Sequence, residues 1–321
     1  MKGNIGDILI FRIAGTVRKK TIFWLAVFMA VAAANVYFPL AIEAAEVQVI
    51  EAQSGDLFEL QYRILRPGEP LVLVWKNQIS EYAGIFFMED NYWLKNKGEN
   101  KPVLLLGLDV MAKPGHKALE IDLWSQGQKI ERLVVTLEIA ARDFPVRELT
   151  VDQKYVTPPK EVLARTKREA EILAMVYSVI TPEYLAEGPF IMPCEGRLSP
   201  NFGQRRVYNK VPRSVHTGVD IAVPLGHPIT ASNSGRVVLA SDLYYSGKTV
   251  ILDHGLGLFT SYSHLSKLLV KRGETVQTGQ VIGLAGSTGL STGPHLHWAA
   301  KIHEARVDPL SLLELDWIIH N

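Results

Sequence analysis

His216-Thr217-Gly218-Val219-Asp220 and His295-Leu296-His297 are the two stretches on which the reading of this chain turns. They hold three of its nine histidines and an aspartate. Imidazole nitrogens and carboxylate oxygens bind zinc when they converge within about 2.0–2.2 Å of one point, and a catalytic site leaves a position open for water. On a straight strand, residues four apart would be separated by about 13 Å, at about 3.3 Å per residue. The backbone must therefore bend between His216 and Asp220, and Gly218 is the expected place, because glycine adopts dihedrals other residues avoid. In the second stretch, strand alternation sends His295 and His297 to one face and Leu296 into a core. One histidine can serve as a ligand and the other stand beside it. The surrounding sequence is rich in glycine and in strand-forming residues, so the expected fold class is mainly β.

Working outward, further segments fall into place: Phe202-Gly203-Gln204-Arg205, HTGVDIAVPLG (216–226), Gly235-Arg236-Val237-Val238, ILDHG (251–255), Tyr262-Ser263-His264-Leu265, GETVQTGQVIGLAGSTG (273–289) and STGPHLHW (291–298). In order and spacing they make residues 196–311 resemble the catalytic domain of the lysostaphin-type zinc endopeptidases, which cut peptide bonds in bacterial peptidoglycan. The resemblance implies one zinc ion held by His216, Asp220 and His297. It implies that His264 and His295 form a second pair that polarises water and stabilises the transition state. His227, in Gly-His-Pro, replaces a residue that is usually smaller and is read as a surface substitution. Asp253 and His254 are read as a structural turn or as support for the ligands, and Arg205 as support for the ligand loop or for a substrate carboxylate. The competing class is a non-catalytic peptidoglycan-binding regulator of other wall hydrolases, as in relatives that lost metal ligands. All five positions are kept here, which favours the enzyme. The bond cut, and the division of labour between His264 and His295, stay open.

With 321 residues the chain has room for two domains and a short extra segment. A hydrophobic content of 47% suits well-formed cores, and a net charge of +1 marks no polyanionic partner. No basic run beyond the N-terminus points to nucleic acid. The single cysteine, Cys194, excludes an intramolecular disulfide and is expected as a small buried residue.

Near the N-terminus, Arg18, Lys19 and Lys20 precede an apolar run over about residues 21–42. Its length lies between a cleavable signal peptide and a spanning helix. Residues 1–44 are therefore expected to be a signal peptide or signal anchor, with possible membrane anchoring through 21–42. The remainder would be exported, to a periplasmic or cell-envelope location.

Residues 45–145 alternate in short segments: 47–52, 57–62, 70–77, 102–110, 117–125 and 131–141, with turns at Pro67-Gly68, Lys97-Gly98, Pro114-Gly115 and Gln126-Gly127. This predicts an immunoglobulin-like β-sandwich, resembling the accessory β-domain ahead of some lysostaphin-type peptidases. It could space, bind wall or partner, or partly cover the cleft. His116 stands alone in a turn. Residues 146–187 are expected to be a linker with a helix over 159–178, opened by Pro158-Pro159 and striped by Leu163, Ala170, Leu173 and Tyr177. Residues 188–321 make the β-rich peptidase domain, where the glycines from 273 to 289 predict a hairpin under the histidine strand.

Overall fold

The computed structural model describes residues 16–21 and 46–315. The apolar run expected to be an export segment lies almost wholly outside the described residues. Among the described residues no helix is long and apolar enough to cross a membrane.

The first half of the chain is built from β1 (Thr16–Thr21), β2 (Glu46–Glu51), β3 (Leu57–Tyr62), β4 (Pro70–Asn77), β5 (Tyr82–Phe87), β6 (Asp90–Lys95), β7 (Val103–Gly107), β8 (Gly115–Ser125) and β9 (Gln128–Ile139). They form two antiparallel sheets, β1-β2-β3-β4-β7 and β6-β5-β8-β9, packed face to face. Phe58, Leu60, Leu71, Leu73 and Trp75 meet Ile85, Leu119, Ile121 and Leu123 in the shared core. The pair β5–β6 is absent from the strands expected above. Its turn, Met88-Glu89, carries none of the usual turn residues, although Met88 sits at φ 58°. His116 is the second residue of β8 and is exposed.

The run PLVLVW of β4 is buried throughout. Leu71, Leu73 and Trp75 point into the sandwich, while Val72 and Val74 point outward against a second layer. Period-2 alternation with both faces covered gives a continuous apolar run. That second layer belongs to the C-terminal half: Leu258, Ala300, Ile302, Val307, Leu312 and Leu315. Two buttressed ion pairs cross the same boundary, Asp109–Arg306 and Arg142–Asp308, each at 2.7 Å.

The connector is more structured than a linker with one helix. β10 (Val146–Leu149) pairs in parallel with β12 (Arg205–Tyr208), which pairs with β13 (Val211–Val215). A short helix α1 (Gln153–Val156) follows, then α2 (Lys160–Ser178). Leu173, Val176 and Tyr177 of α2 pack on Ile251 and Phe259. The contact stripe is thus shifted toward the C-terminal end, and Leu163 is exposed. The helix lies on a sheet of the C-terminal half and does not bridge the two halves.

That sheet contains β11 (Arg197–Ser199), β14 (Gly218–Ala222), β16 (Gly235–Leu243), β17 (Gly247–Asp253), β18 (Leu258–Leu265), β20 (Thr275–Val276), β22 (Leu296–Ile302) and β23 (Ala305–Val307), in the order β11-β14-β22-β18-β17-β16-β20 with β23 on β22. A smaller sheet, β15 (Pro228–Thr230), β21 (Val281–Leu284) and β19 (Lys267–Leu268), packs beneath it, and a 3-10 helix, Pro309–Glu314, follows. The hairpin expected over 273–289 does not form: β20 pairs with β16, and β21 with β15 and β19. Cys194 is buried.

Candidate metal centre

The site is a product of sheet register. Val219, Ile221, Leu296 and Trp298 are wholly buried in the core beneath the sheet. Alternation therefore turns Asp220 and His297 to the other face, and the register sets Asp220 directly opposite His297 on neighbouring strands. His216 lies two residues before β14, where its backbone still pairs with Gln204 and Gly203. Strand assignment lapses at His216-Thr217, between β13 and β14, and Gly218 is not in the left-handed region. Its necessity is steric: a Cβ there would lie 2.3 Å from the Trp298 carbonyl oxygen and 2.9 Å from His297 Cε1. The bend expected from glycine dihedrals is instead a close approach of two backbones.

Three ligand-type atoms converge. His216 Nε2 is 2.9 Å from His297 Nδ1 and 3.2 Å from Asp220 Oδ1, and His297 Nδ1 is 2.9 Å from Asp220 Oδ1. Ligands at about 2.0–2.1 Å from a tetrahedral zinc stand about 3.3 Å apart, so the triangle fits such an ion with little adjustment. Proton counting points the same way. His216 Nδ1 lies 3.0 Å from the Asn201 carbonyl oxygen, which can only accept, so Nδ1 bears the proton. Burial first of all pushes His216 down to about 4, so the ring is neutral at pH 7 and Nε2 is a bare lone pair. Burial opposes charge on Asp220, yet the imidazoles of His216 and His297 beside it hold its carboxyl well below the usual carboxylate range. A single proton on His297 Nδ1 can serve one of its two neighbours at a time. Acceptors crowded round one point with too few protons are a cation's donor set. This is the only such group of three among the described residues.

A surrounding shell fixes these groups. Asn201 Nδ2 donates to Asp220 Oδ2 at 2.8 Å and Arg206 Nη2 does so at 2.9 Å, leaving Oδ1 for the centre. Arg206, not Arg205, is the supporting arginine; Arg205 is exposed. Sequence reasoning missed Asn201 and Arg206, since neither is a ligand type and their partner lies 19 and 14 residues away. Asp253 and His254 bond to Thr181, Gly255, Ser234 and Thr260, away from the site. His227 lies in a turn below the sheet, its carbonyl accepting from Ala285.

His264 and His295 stand beside the triangle, their rings 4.8 Å apart. His264 Nδ1 donates to the Thr288 carbonyl at 2.8 Å, and His295 Nδ1 to the Gly293 carbonyl at 2.8 Å. Each Nε2 is thereby left unprotonated in the neutral ring. His295 Nε2 lies 3.7 Å from Asp220 Oδ1. Burial, then the neighbouring imidazoles, push His264 down to about 3. Its placement defies simple alternation. Ser263 is opposite His297 and shares its face, so the next residue should point into the core. A register shift between β17 and β18, with His264 itself at φ 64°, turns the ring back to the site. Such a non-glycine conformation stores strain, which the surrounding bonds offset.

Residues 214–309 match the model of Peptidase family M23. The peptidoglycan DD-endopeptidase ShyA of Vibrio cholerae is 47% identical over 103 residues, covering 32% of this chain and 24% of that protein. The DD-carboxypeptidase/endopeptidase Mpg of Neisseria meningitidis is 40% identical over 116 residues, covering 36% of this chain and 27% of that protein. The chain thus spans about a quarter of the length of these curated relatives. A crystal structure assigned to peptidase M23 from Pseudomonas aeruginosa matches with a TM-score of 0.58 at 29% identity, over 77% of this chain and 94% of that one.

Proposed function

Because residues 214–309 form a lysostaphin-type peptidase M23 domain, we propose that the chain is a zinc-dependent endopeptidase of bacterial peptidoglycan. His216, Asp220 and His297 would be the ligands. The observation that carries this reading is the triangle of ligand atoms with edges of 2.9–3.2 Å. The names of the two relatives support a D,D-cross-link as the bond cut. An envelope location follows from that substrate. The units are taken as 45–145, 146–187 and 188–321. The strand orders β3-β4-β7 and β6-β5-β8-β9, with crossings after β4, β6 and β7, support an immunoglobulin-like reading of the first.

Zinc at the triangle would act as a Lewis acid and lower the pKa of water at its open position toward about 7. The chain's own residues do the rest. His264 and His295, with Nδ1–H groups tied to main-chain carbonyls, offer Nε2 as acceptor for the proton lost by the attacking water. Once protonated, the same Nε2–H can donate to the developing oxyanion or to the leaving amine. Asn201 and Arg206 hold Asp220 Oδ2 and leave Oδ1 for the centre. The sandwich does not cover this face by its main contact, because Ala300 and Ile302 share the opposite face of β22 with Leu296 and Trp298.

The test is zinc content of purified protein, followed by digestion of purified peptidoglycan with and without chelator, read by mass spectrometry. Chelator-sensitive peptide cleavage with one zinc per chain is expected. His264→Ala and His295→Ala should each keep zinc and lose at least about 100-fold in rate. Zinc-free protein that binds peptidoglycan without cleaving it would replace this reading with that of a wall-binding regulator.

A further inference from the structure

The solvent face of an antiparallel sheet normally carries polar residues. The outer face of β6-β5-β8-β9 departs from that. The inner face is accounted for by the sandwich core, which takes up Ala83, Ile85, Ile121 and Leu123. On the outer face, Tyr82 is opposite both Lys95 and Trp124, and Trp93 is opposite Gly84. Tyr82 is 39% and Trp93 58% exposed. The Trp93 and Trp124 rings are 5.9 Å apart and tilted by 54°. With Tyr82 and Gly127 they line a cavity of about 340 Å³. Gly84 lets the Trp93 ring lie close over the strand: a Cβ there would lie 3.2 Å from it.

Three aromatic rings gathered around a slot open to solvent are a recognition surface, since burying them elsewhere would have been favourable. The slot's volume falls in the range of small-molecule pockets, about 300–1,000 Å³. The chemistry selects further. Pyranose rings present apolar C–H faces whose electropositive hydrogens suit the negative faces of aromatic rings. Around the slot, Arg132 is paired with Asp122 and Glu120, and Lys129 with Asp122. These pairs form a polar rim able to meet hydroxyl and acetamido groups. Lys95 Nζ, 5.9 Å from the Tyr82 ring centre, adds a donor for hydroxyl or acetamido oxygens.

We infer that Tyr82, Trp93 and Trp124 form a glycan-binding site that takes the amino-sugar strand of peptidoglycan. The inference rests on the wall-substrate reading above and adds the sugar moiety to it. The sandwich docks through Val72, Val74 and Leu105 of its other sheet and through Tyr92 of β6, which packs on His303; Tyr92 is opposite the core residue Ile85, so its neighbour Trp93 lies on the other face of the strand. Glycan could be held there while the peptidase works on a peptide.

The experiment titrates the full chain with peptide-free oligomers of alternating N-acetylglucosamine and N-acetylmuramic acid, read by calorimetry and tryptophan fluorescence. Hydrolysis of a sugar-free cross-linked peptide and sedimentation are measured in parallel. Wild type should bind the oligomer, Trp93→Ala should bind at least tenfold more weakly, and Trp93→Phe should keep most of the affinity. Hydrolysis of the sugar-free peptide should be the same in all three. Equal affinity in Trp93→Ala, or no binding by wild type, overturns the site. Trp93-dependent self-association without glycan binding overturns it too, in favour of a second copy as occupant. Trp93-dependent glycan binding without any peptide hydrolysis would sustain the site while defeating the peptidase reading.

Discussion

Asn201 and Asp220 grip each other twice. The Asn201 amide donates to Asp220 Oδ2 at 2.8 Å, and Asn201 Oδ1 accepts the Asp220 backbone N–H at 3.1 Å. The carbonyl of the same asparagine accepts from His216 Nδ1 at 3.0 Å. One residue thus orients the carboxylate and sets the tautomer of one imidazole. Partners of this kind typically change metal affinity by about 10–100-fold. Asn201→Ala is therefore expected to weaken zinc binding by that factor while leaving the fold intact, because the carbonyl contact to His216 is main-chain. Competition against a chromophoric chelator measures it. Unchanged affinity would mean that Arg206 alone holds the carboxylate.

Gly218 gives a sharper test, because a second glycine serves as control. A Cβ at 218 would meet the Trp298 carbonyl oxygen, Ala299 Cβ and His297 Cε1 at 2.3–2.9 Å. Two of these are backbone or strand-locked, so β14 and β22 must separate. Overpacking of this kind costs about 1–3 kcal/mol and would displace His297. Gly293 has nothing within 4 Å of its Cβ position, although its carbonyl holds His295. Gly218→Ala should lower both the urea midpoint and zinc affinity, and Gly293→Ala should alter neither. Equal behaviour of the two variants would refute the close-approach argument.

His254 makes stability depend on pH by a route separate from the metal centre. It is fully buried, with Nδ1 2.7 Å from the Ser234 carbonyl and Nε2 2.7 Å from Thr260 Oγ1. Burial pushes it down to about 4. The unfolded chain takes up the proton near pH 6.5, the folded chain only near 4. The contribution of neutral His254 is therefore complete above about pH 6.5 and is lost as pH falls from there toward about 4. A gap of that size corresponds to about 3 kcal/mol. Chelator-treated protein should lose stability between about pH 6.5 and 4, and His254→Gln should flatten that part of the profile. A slope identical in the variant would assign the effect to other groups.

Much of the site could be read from the sequence because it depends on local alternation. Leu296 between two histidines, and Val219 beside Asp220, announce which side chains share a face. The remainder depends on register between distant segments. No local signal tells that β10 runs parallel to β12, or that Asn201 meets Asp220. His264 reaches the site only through a bulge and a left-handed backbone, whereas plain alternation from Ser263 would bury it. The hairpin of β5 and β6 escaped because Met88-Glu89 lacks the glycine or asparagine that usually marks such a turn. The role of Gly218 was misread for a related reason: spacing shows that a glycine is needed but not whether a dihedral or a neighbour needs it.

Asp109 and Arg306 tie the sandwich to the C-terminal sheet, and their removal separates coupling from catalysis. Arg306 Nη2 and Nε donate to the two Asp109 carboxylate oxygens at 2.7 and 2.8 Å, and the Arg306 backbone N–H donates to Oδ2 at 3.0 Å. Desolvation works against the carboxylate, but the Arg306 side-chain and backbone bonds outweigh it and lower its pKa. Beside the pair, Val72, Val74 and Leu105 are buried against Ile302 and Val307. A charge-assisted network next to an apolar contact couples the two halves, so a single calorimetric transition is expected for wild type. Asp109→Ala leaves four donors, the three of Arg306 and the Met111 backbone N–H, without an acceptor, at a cost of about 1–3 kcal/mol. For a unit of this size that lowers Tm by several degrees, at about 2–4 °C per kcal/mol. Peptide hydrolysis at about 25 °C should not change, because the contact residues Ala300 and Ile302 lie on the opposite face of β22 from His297 and up to roughly 17 Å further along the strand, at about 3.3 Å per residue. Two well-separated transitions in wild type would show that the halves fold independently. A fall in hydrolysis at unchanged Tm would instead connect this contact to the metal centre.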